Sequence, residues 1–337
     1  MKHSDCNVQT SSPHPSYPWL DLLKYLCSVG IIAQHTQAFR ELPRAQAWFE
    51  RFQPTLVALF FVIASVLFWQ RIRWNETDRE RLWHYVCRLL TLVCCWGLLL
   101  APHWLPKFIR HNPDNWMLLL GLKALVQGFA QGSWFIMSLI YGILLCYLAN
   151  RYLNRHFTFV LVMTMGLYFS LVHYEAWPDW LHLYWPAEGD QFQLETYYSP
   201  LRSLVWIEGG FYLIPLLKRL PAWLLTAASG LALLLTCVMI KWYFLANAAV
   251  ALLLPAIGLS KGSFQKHKKL LMLRRMSIIT FFVHFPIVTL IHVLYTTGCI
   301  SYEYGCIPFI LVYLPSTLLA WSVIRGSERW PMLKYLF

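Results

Sequence analysis

Hydrophobic side chains make up 58% of this 337-residue chain and charged ones only 13%, about half the charge of a soluble domain, where roughly a quarter of residues are ionisable. That balance excludes a soluble enzyme and points to an all-α polytopic membrane protein built of spans and short loops. The net charge of +12 does not argue for nucleic acid, because the Lys and Arg lie between hydrophobic segments, where membrane topology places them.

Residues 1–18 are polar and lack the basic lead and cleavable apolar core of a signal peptide, so they read as a cytoplasmic N-terminal tail. About ten transmembrane helices are expected, at 19–39, 54–70, 85–101, 133–150, 157–174, 200–217, 222–240, 243–259, 276–296 and 306–324. Together 19–324 form one transmembrane domain, and 325–337 a short cytoplasmic tail. The stretch 102–132, broken by Pro102, Pro106 and Pro113, reads as an external or re-entrant hairpin, with 116–131 as an optional extra span. Basic residues crowd alternate segments: Arg71 to Arg88, Arg151 and Arg155, Lys218 and Arg219, and Lys261 to Arg275. The segment 175–199 instead has acids and aromatics without Lys or Arg. By the positive-inside rule both termini are cytoplasmic and His35 lies toward the outside.

The first span carries Asp21, Lys24 and His35. An ionisable group at membrane depth costs about 2.5–3.5 kcal/mol on insertion scales, so it faces protein or a water-filled cavity. Lys24 and His35 lie eleven residues apart, which is about 16 Å along a helix, half the hydrocarbon core. Snorkelling to the headgroups explains Lys24 as readily as a site does. For His35 the polar neighbours Gln34, Thr36 and Gln37 favour a site, and a neutral imidazole is the natural base for an alcohol. Glu208, half-way along the sixth span, reads either as a partner of Arg202 or as a group that orients His35 or pairs with Lys24. His284 lies near the centre of the ninth span, with His292 two turns on. His173 and Glu175 open the acidic, aromatic outer loop, where a binding groove is one reading and an aromatic belt is the simpler account of the neighbouring Trp and Tyr. The basic stretch ending at Arg275 suits phosphates or anionic lipids, although topology alone explains it. The nine cysteines show no metal-ligand spacing, and no metal is expected. Cys299 and Cys306 flank the last outer loop, which an oxidising compartment would allow to close as a disulfide.

Asp21-x2-Lys24-x10-His35 resembles the first-helix signature of the acyltransferase-3 family of bacterial integral-membrane O-acyltransferases, with Lys at a position more often Arg. Further stretches follow in the family's order. Phe60-Phe61-Val62-Ile63-Ala64-Ser65 is similar to a second-helix Phe-Phe-x-x-Ser-Gly, with Ala64 and Ser65 departing from it. His84-x3-Arg88 falls where the family has two Arg residues, and Ser133-Trp134-Phe135 resembles its Leu-Trp-Phe. Ser277-x3-Phe281-x2-His284-Phe285-Pro286 resembles a late motif ending in His-Pro.

The resemblance spans roughly residues 17–325. It implies transfer of an acyl group, usually acetyl, from cytoplasmic acyl-CoA to a hydroxyl of an envelope glycan or glycolipid, in the inner membrane of a bacterium. His35 would be base or transient acyl carrier, with Glu208 beside it. Lys24, Arg88, His84 and Trp134 would hold the donor and His284 the acceptor, with His173 and Glu175 of the outer loop added as acceptor candidates by their place in the chain. Membrane lipids and a separate periplasmic protein are further partners that it allows. The alternative from another class is a secondary transporter or flippase with a polar path through Lys24, His35, Glu208 and His284. No internal repeat or matched pair of broken helices supports it. The departures at Lys24, Ala64 and His84 also admit a non-catalytic member of the same fold. Acceptor, acyl group and oligomeric state are left open by the sequence.

Overall fold

Pro18 stands in the first turn of α1 (Pro18–His35), where a missing N–H costs nothing and the fixed φ suits a helix start. The other end of α1 is set by two residues. Thr36 turns its hydroxyl back onto the Ile32 carbonyl at 2.9 Å, and Gln37 takes a left-handed φ of 45° that no helix continues through. The span expected over 19–39 therefore ends four residues early, with His35 as the last helical residue.

The computed structural model describes residues 17–129, 132–172, 200–238, 243–260 and 268–337. Among the described residues every regular element is helical. After α1 come α2 (Pro43–Trp69), α3 (Asp78–Leu99), α4 (Ala101–His111), α5 (Trp116–Val126), α6 (Ser133–Tyr152) and α7 (Phe157–Val172). Then follow α8 (Pro200–Leu217), α9 (Ala222–Val238), α10 (Tyr243–Ser260), α11 (Lys268–Thr296) and α12 (Cys306–Arg329).

Five of these are long and apolar enough to cross a membrane: α2, α3, α6, the Met272–Thr296 part of α11, and α12. Of the other expected spans, α7, α9 and α10 are apolar but shorter, and α1 is diluted by Asp21, Lys24, Gln34 and His35. The stretch 102–132 holds the eleven-residue helices α4 and α5, each about 16 Å long and so half a membrane thickness. Several helices start well before their apolar part. The second begins at Pro43 and carries Arg44, Glu50 and Arg51, and α11 begins at Lys268.

Helix α1 is packed among α2, α10, α11 and α12. A second body of buried side chains joins α3, α6, α8 and α11. Small residues let backbones approach, as expected where lipid supplies no hydrophobic drive. At Gly210 of α8 a Cβ would lie 2.9 Å from the Val62 carbonyl of α2 and collide with the Ser65 hydroxyl. Leucine, phenylalanine and valine stay exposed along the outer helices, among them Phe159, Val162, Leu231, Leu234, Leu314 and Leu318. These suit contact with lipid.

Candidate active site

A cavity of about 770 Å³ opens beside the first half of α1. Asp21 and Lys24, one turn apart on α1, line it, together with Arg71 from the turn after α2, Arg88 of α3, Arg274 of α11 and Lys334. Five cationic side chains thus face one carboxylate, and in a low-dielectric cleft such a surplus draws in an anion. The rest of the wall is apolar and largely aromatic: Phe60, Phe68, Phe135, Phe281 and Phe282.

The aromatic wall leads toward the far end of α1. Phe281 lies 6.1 Å from Phe60 and 5.9 Å from Phe135 between ring centroids, and 6.0 Å from both His284 and Phe285. His35 packs 5.3 Å from the His284 ring and 5.2 Å from Phe285. Gly132 underlies this row. Its φ of +84° is one that L side chains avoid, and a Cβ there would meet Phe285 at 2.7 Å and Phe281 at 2.9 Å.

The two histidines meet because α1 and α11 run side by side in a fixed register. Ser28 donates to the Ser277 carbonyl at 2.9 Å across the seam, and also bonds the Lys24 carbonyl. His35 and His284 lie seven residues beyond Ser28 and Ser277, so the same seam recurs two turns on. His284 is fully buried. Its Nδ1 is 3.2 Å from the Thr280 carbonyl, an acceptor only, so Nδ1 carries the hydrogen and Nε2 keeps a lone pair. That Nε2 is buried without a hydrogen-bond partner among the described residues. His35 is exposed at the helix end.

Beyond His35, two loops lock together. Gly305 N–H donates to the Thr36 carbonyl at 2.8 Å, Cys306 N–H to Glu41 at 3.2 Å, and Arg40 lies over the Tyr304 ring. Burial and the adjoining Glu303 carboxylate hold the Tyr304 hydroxyl above its ordinary pKa, against the opposing pull of Arg40.

A family model described as an acyltransferase domain matches residues 17–326. The chain belongs to the acyltransferase-3 family. It is a multi-pass membrane acyltransferase. No curated protein and no solved structure matches it.

In this acyltransferase the residues singled out from sequence separate into those the fold gathers and those it does not. Lys24 and Arg88 share the cavity, and His35 and His284 share the far end of the aromatic row. Trp134 is half-buried beside Phe135, and Phe135 is the one that lines the cavity. His84 lies on an exposed face of α3 with Nδ1 2.8 Å from its own Glu80 carbonyl, and is not part of the cavity wall.

Glu208 departs from the expectation. It is fully buried on α8 and accepts from Asn150 Nδ2 of α6 at 2.8 Å. Arg202 instead donates to the Leu171 carbonyl at 3.0 Å. Packing of α8 on α6 turns the carboxyl toward Asn150 rather than toward Arg202, Lys24 or His35. His292 bonds Glu303 at 2.6 Å. Cys299 and Cys306 are free thiols. His173 and Glu175 lie outside the described residues, as does 261–267. Arg71 and Lys334 are not singled out by the sequence, whereas Arg274 belongs to the basic stretch ending at Arg275 that suits phosphates.

Proposed function

We propose that this acyltransferase takes an acetyl group from cytoplasmic acetyl-CoA and passes it to a hydroxyl of an envelope glycan or glycolipid, in the inner membrane of a bacterium. The observation that carries the proposal is the single row running from the cation-lined cavity at Lys24, through Phe281, to the His35–His284 pair. Phosphates of the donor suit Lys24, Arg71, Arg88 and Arg274, since charge-assisted bonds to phosphate oxygens are the strong ones. The acyl-bearing arm then lies along the aromatic wall and brings the thioester toward the histidines.

His35 takes the proton of the acceptor hydroxyl as its oxygen attacks the thioester carbonyl. The new C–O bond forms, the C–S bond breaks, and the proton passes from His35 to the departing sulfur. A basic site that meets the cytoplasm and a base that meets the far side let donor and acceptor stay in separate compartments. A Glu208 bonded to Asn150 stands apart from Lys24, His35 and His284, which weakens the transporter alternative.

The test is acetyl release from labelled acetyl-CoA, with and without envelope extract, by purified protein in nanodiscs. His35→Ala should lose transfer by at least about 10²-fold, the scale of a positioned acid–base group, while still binding the donor. Transfer at wild-type rate by an equally folded His35→Ala protein would overturn the assignment.

A further inference from the structure

Residues expected as a loose tail instead form a wall of the cavity. Pro331–Leu336 makes a 3₁₀ helix that packs on α3 and α12, and Lys334, Tyr335 and Phe337 line the cavity. Three contacts hold the turn there. Trp96, itself buried and stacked on Phe282 4.9 Å away, donates its indole N–H to the Leu336 carbonyl at 3.1 Å. The Arg275 guanidinium sits 5.0 Å over the Phe337 ring. Leu333 packs against Gly326, where a Cβ would lie 3.1 Å away.

Lys334, in the 3₁₀ turn, and Phe337, just past its end, both line the cavity. Tyr335, 61% exposed, stands beside them at the mouth. An ammonium and an open aromatic face, side by side at the entrance to a cationic cavity, match the two halves of a phosphorylated purine. The charge takes a phosphate, and the ring stacks on the base, a contact indifferent to sequence because every base has a π face.

We propose that the 331–337 turn is the nucleotide-binding wall of the donor site, with Lys334 on a phosphate and Tyr335 against the purine. This rests on the reading of the cavity as the site of acyl-CoA. Arg71, Arg88 and Arg274 then take the remaining phosphates, and the turn sets which donors are accepted by their nucleotide end.

Two probes separate this wall from the rest of the site: adenosine 3′,5′-bisphosphate, which is the nucleotide end alone, and acetyl-pantetheine, which lacks it. Binding of each is measured on the full chain in nanodiscs. Lys334→Ala should weaken the bisphosphate about three- to tenfold and flatten its salt dependence. Tyr335→Ala should weaken it similarly, and Tyr335→Phe, which keeps the ring, should not. Acetyl-pantetheine should bind all variants as it binds wild type. Unchanged bisphosphate affinity in the variants, with wild type binding it, would overturn the wall and leave the donor site standing. So would an equal loss of both probes, which would make the turn a support of the fold. Wild type that binds neither probe would remove the donor reading, and this one with it.

Discussion

His284 carries its hydrogen on Nδ1, bonded within its own helix, and presents beside the His35 ring an Nε2 lone pair with no partner among the described residues. A buried acceptor without a partner costs about 1–3 kcal/mol, and here it lies 5.3 Å, ring to ring, from His35, the base of the proposed transfer. Acceptance of an N–H from His35 would fix that ring's tautomer and aim its other nitrogen at the acceptor hydroxyl. His284 is then a positioning residue. His284→Leu keeps the bulk and removes the lone pair, and should lower kcat about 10²-fold, the scale of a misplaced base, with donor KM unchanged. His284→Gln returns a carbonyl acceptor and should recover part of that loss. A kcat–KM split and a pH–rate profile on the two variants check it, because a merely structural role would not let Gln rescue what Leu loses.

At the scale of the helix, the junction before α6 shows how one glycine holds two walls. Gly132 has a positive φ and contacts both Phe281 and Phe285, the rings that stand between the cavity and the histidines. Gly132→Ala strains the backbone by about 1–2 kcal/mol and pushes those rings aside. Transfer should fall steeply while phosphate-end binding holds, and the pair of assays already described separates the two effects. The helices themselves were legible from apolar runs, but their ends were not, because hydropathy marks the part in lipid and not the hydrogen-bonded helix. Charged turns such as Arg44–Arg51 continue α2 outside the apolar stretch. Lys24, His35 and His284 are legible in the sequence as ionisable groups in an apolar setting. That His35 meets His284 was not, since the contact joins segments 249 residues apart and depends on the register that Ser28 and Ser277 set. Glu208 misled because depth in a span does not say which neighbour a side chain faces.

For the molecule as a whole, the cationic side chains of the site are gathered at one of its two ends. Lys24, Arg71, Arg88, Arg274 and Lys334 gather at one end of α1. At the other end the loops near Thr36 and Gly305 interlock, with His292 bonded to Glu303 and Arg40 over Tyr304. In the orientation expected from the positive-inside rule, the first end meets the cytoplasm. Catalysis across the bilayer requires that the two ends be reached from opposite sides. Cys299 and Cys306, exposed and free at the His35 end, serve as native reporters for one side. Arg71→Cys, in a protein whose other cysteines are replaced, reports on the cavity mouth. A membrane-impermeant maleimide should label Cys299 and Cys306 in intact cells, and residue 71 only in inverted vesicles, with acetyl-CoA slowing the second reaction. Labelling of both ends from one side would contradict a donor and an acceptor held apart, and would require the glycan and the thioester to enter by the same face.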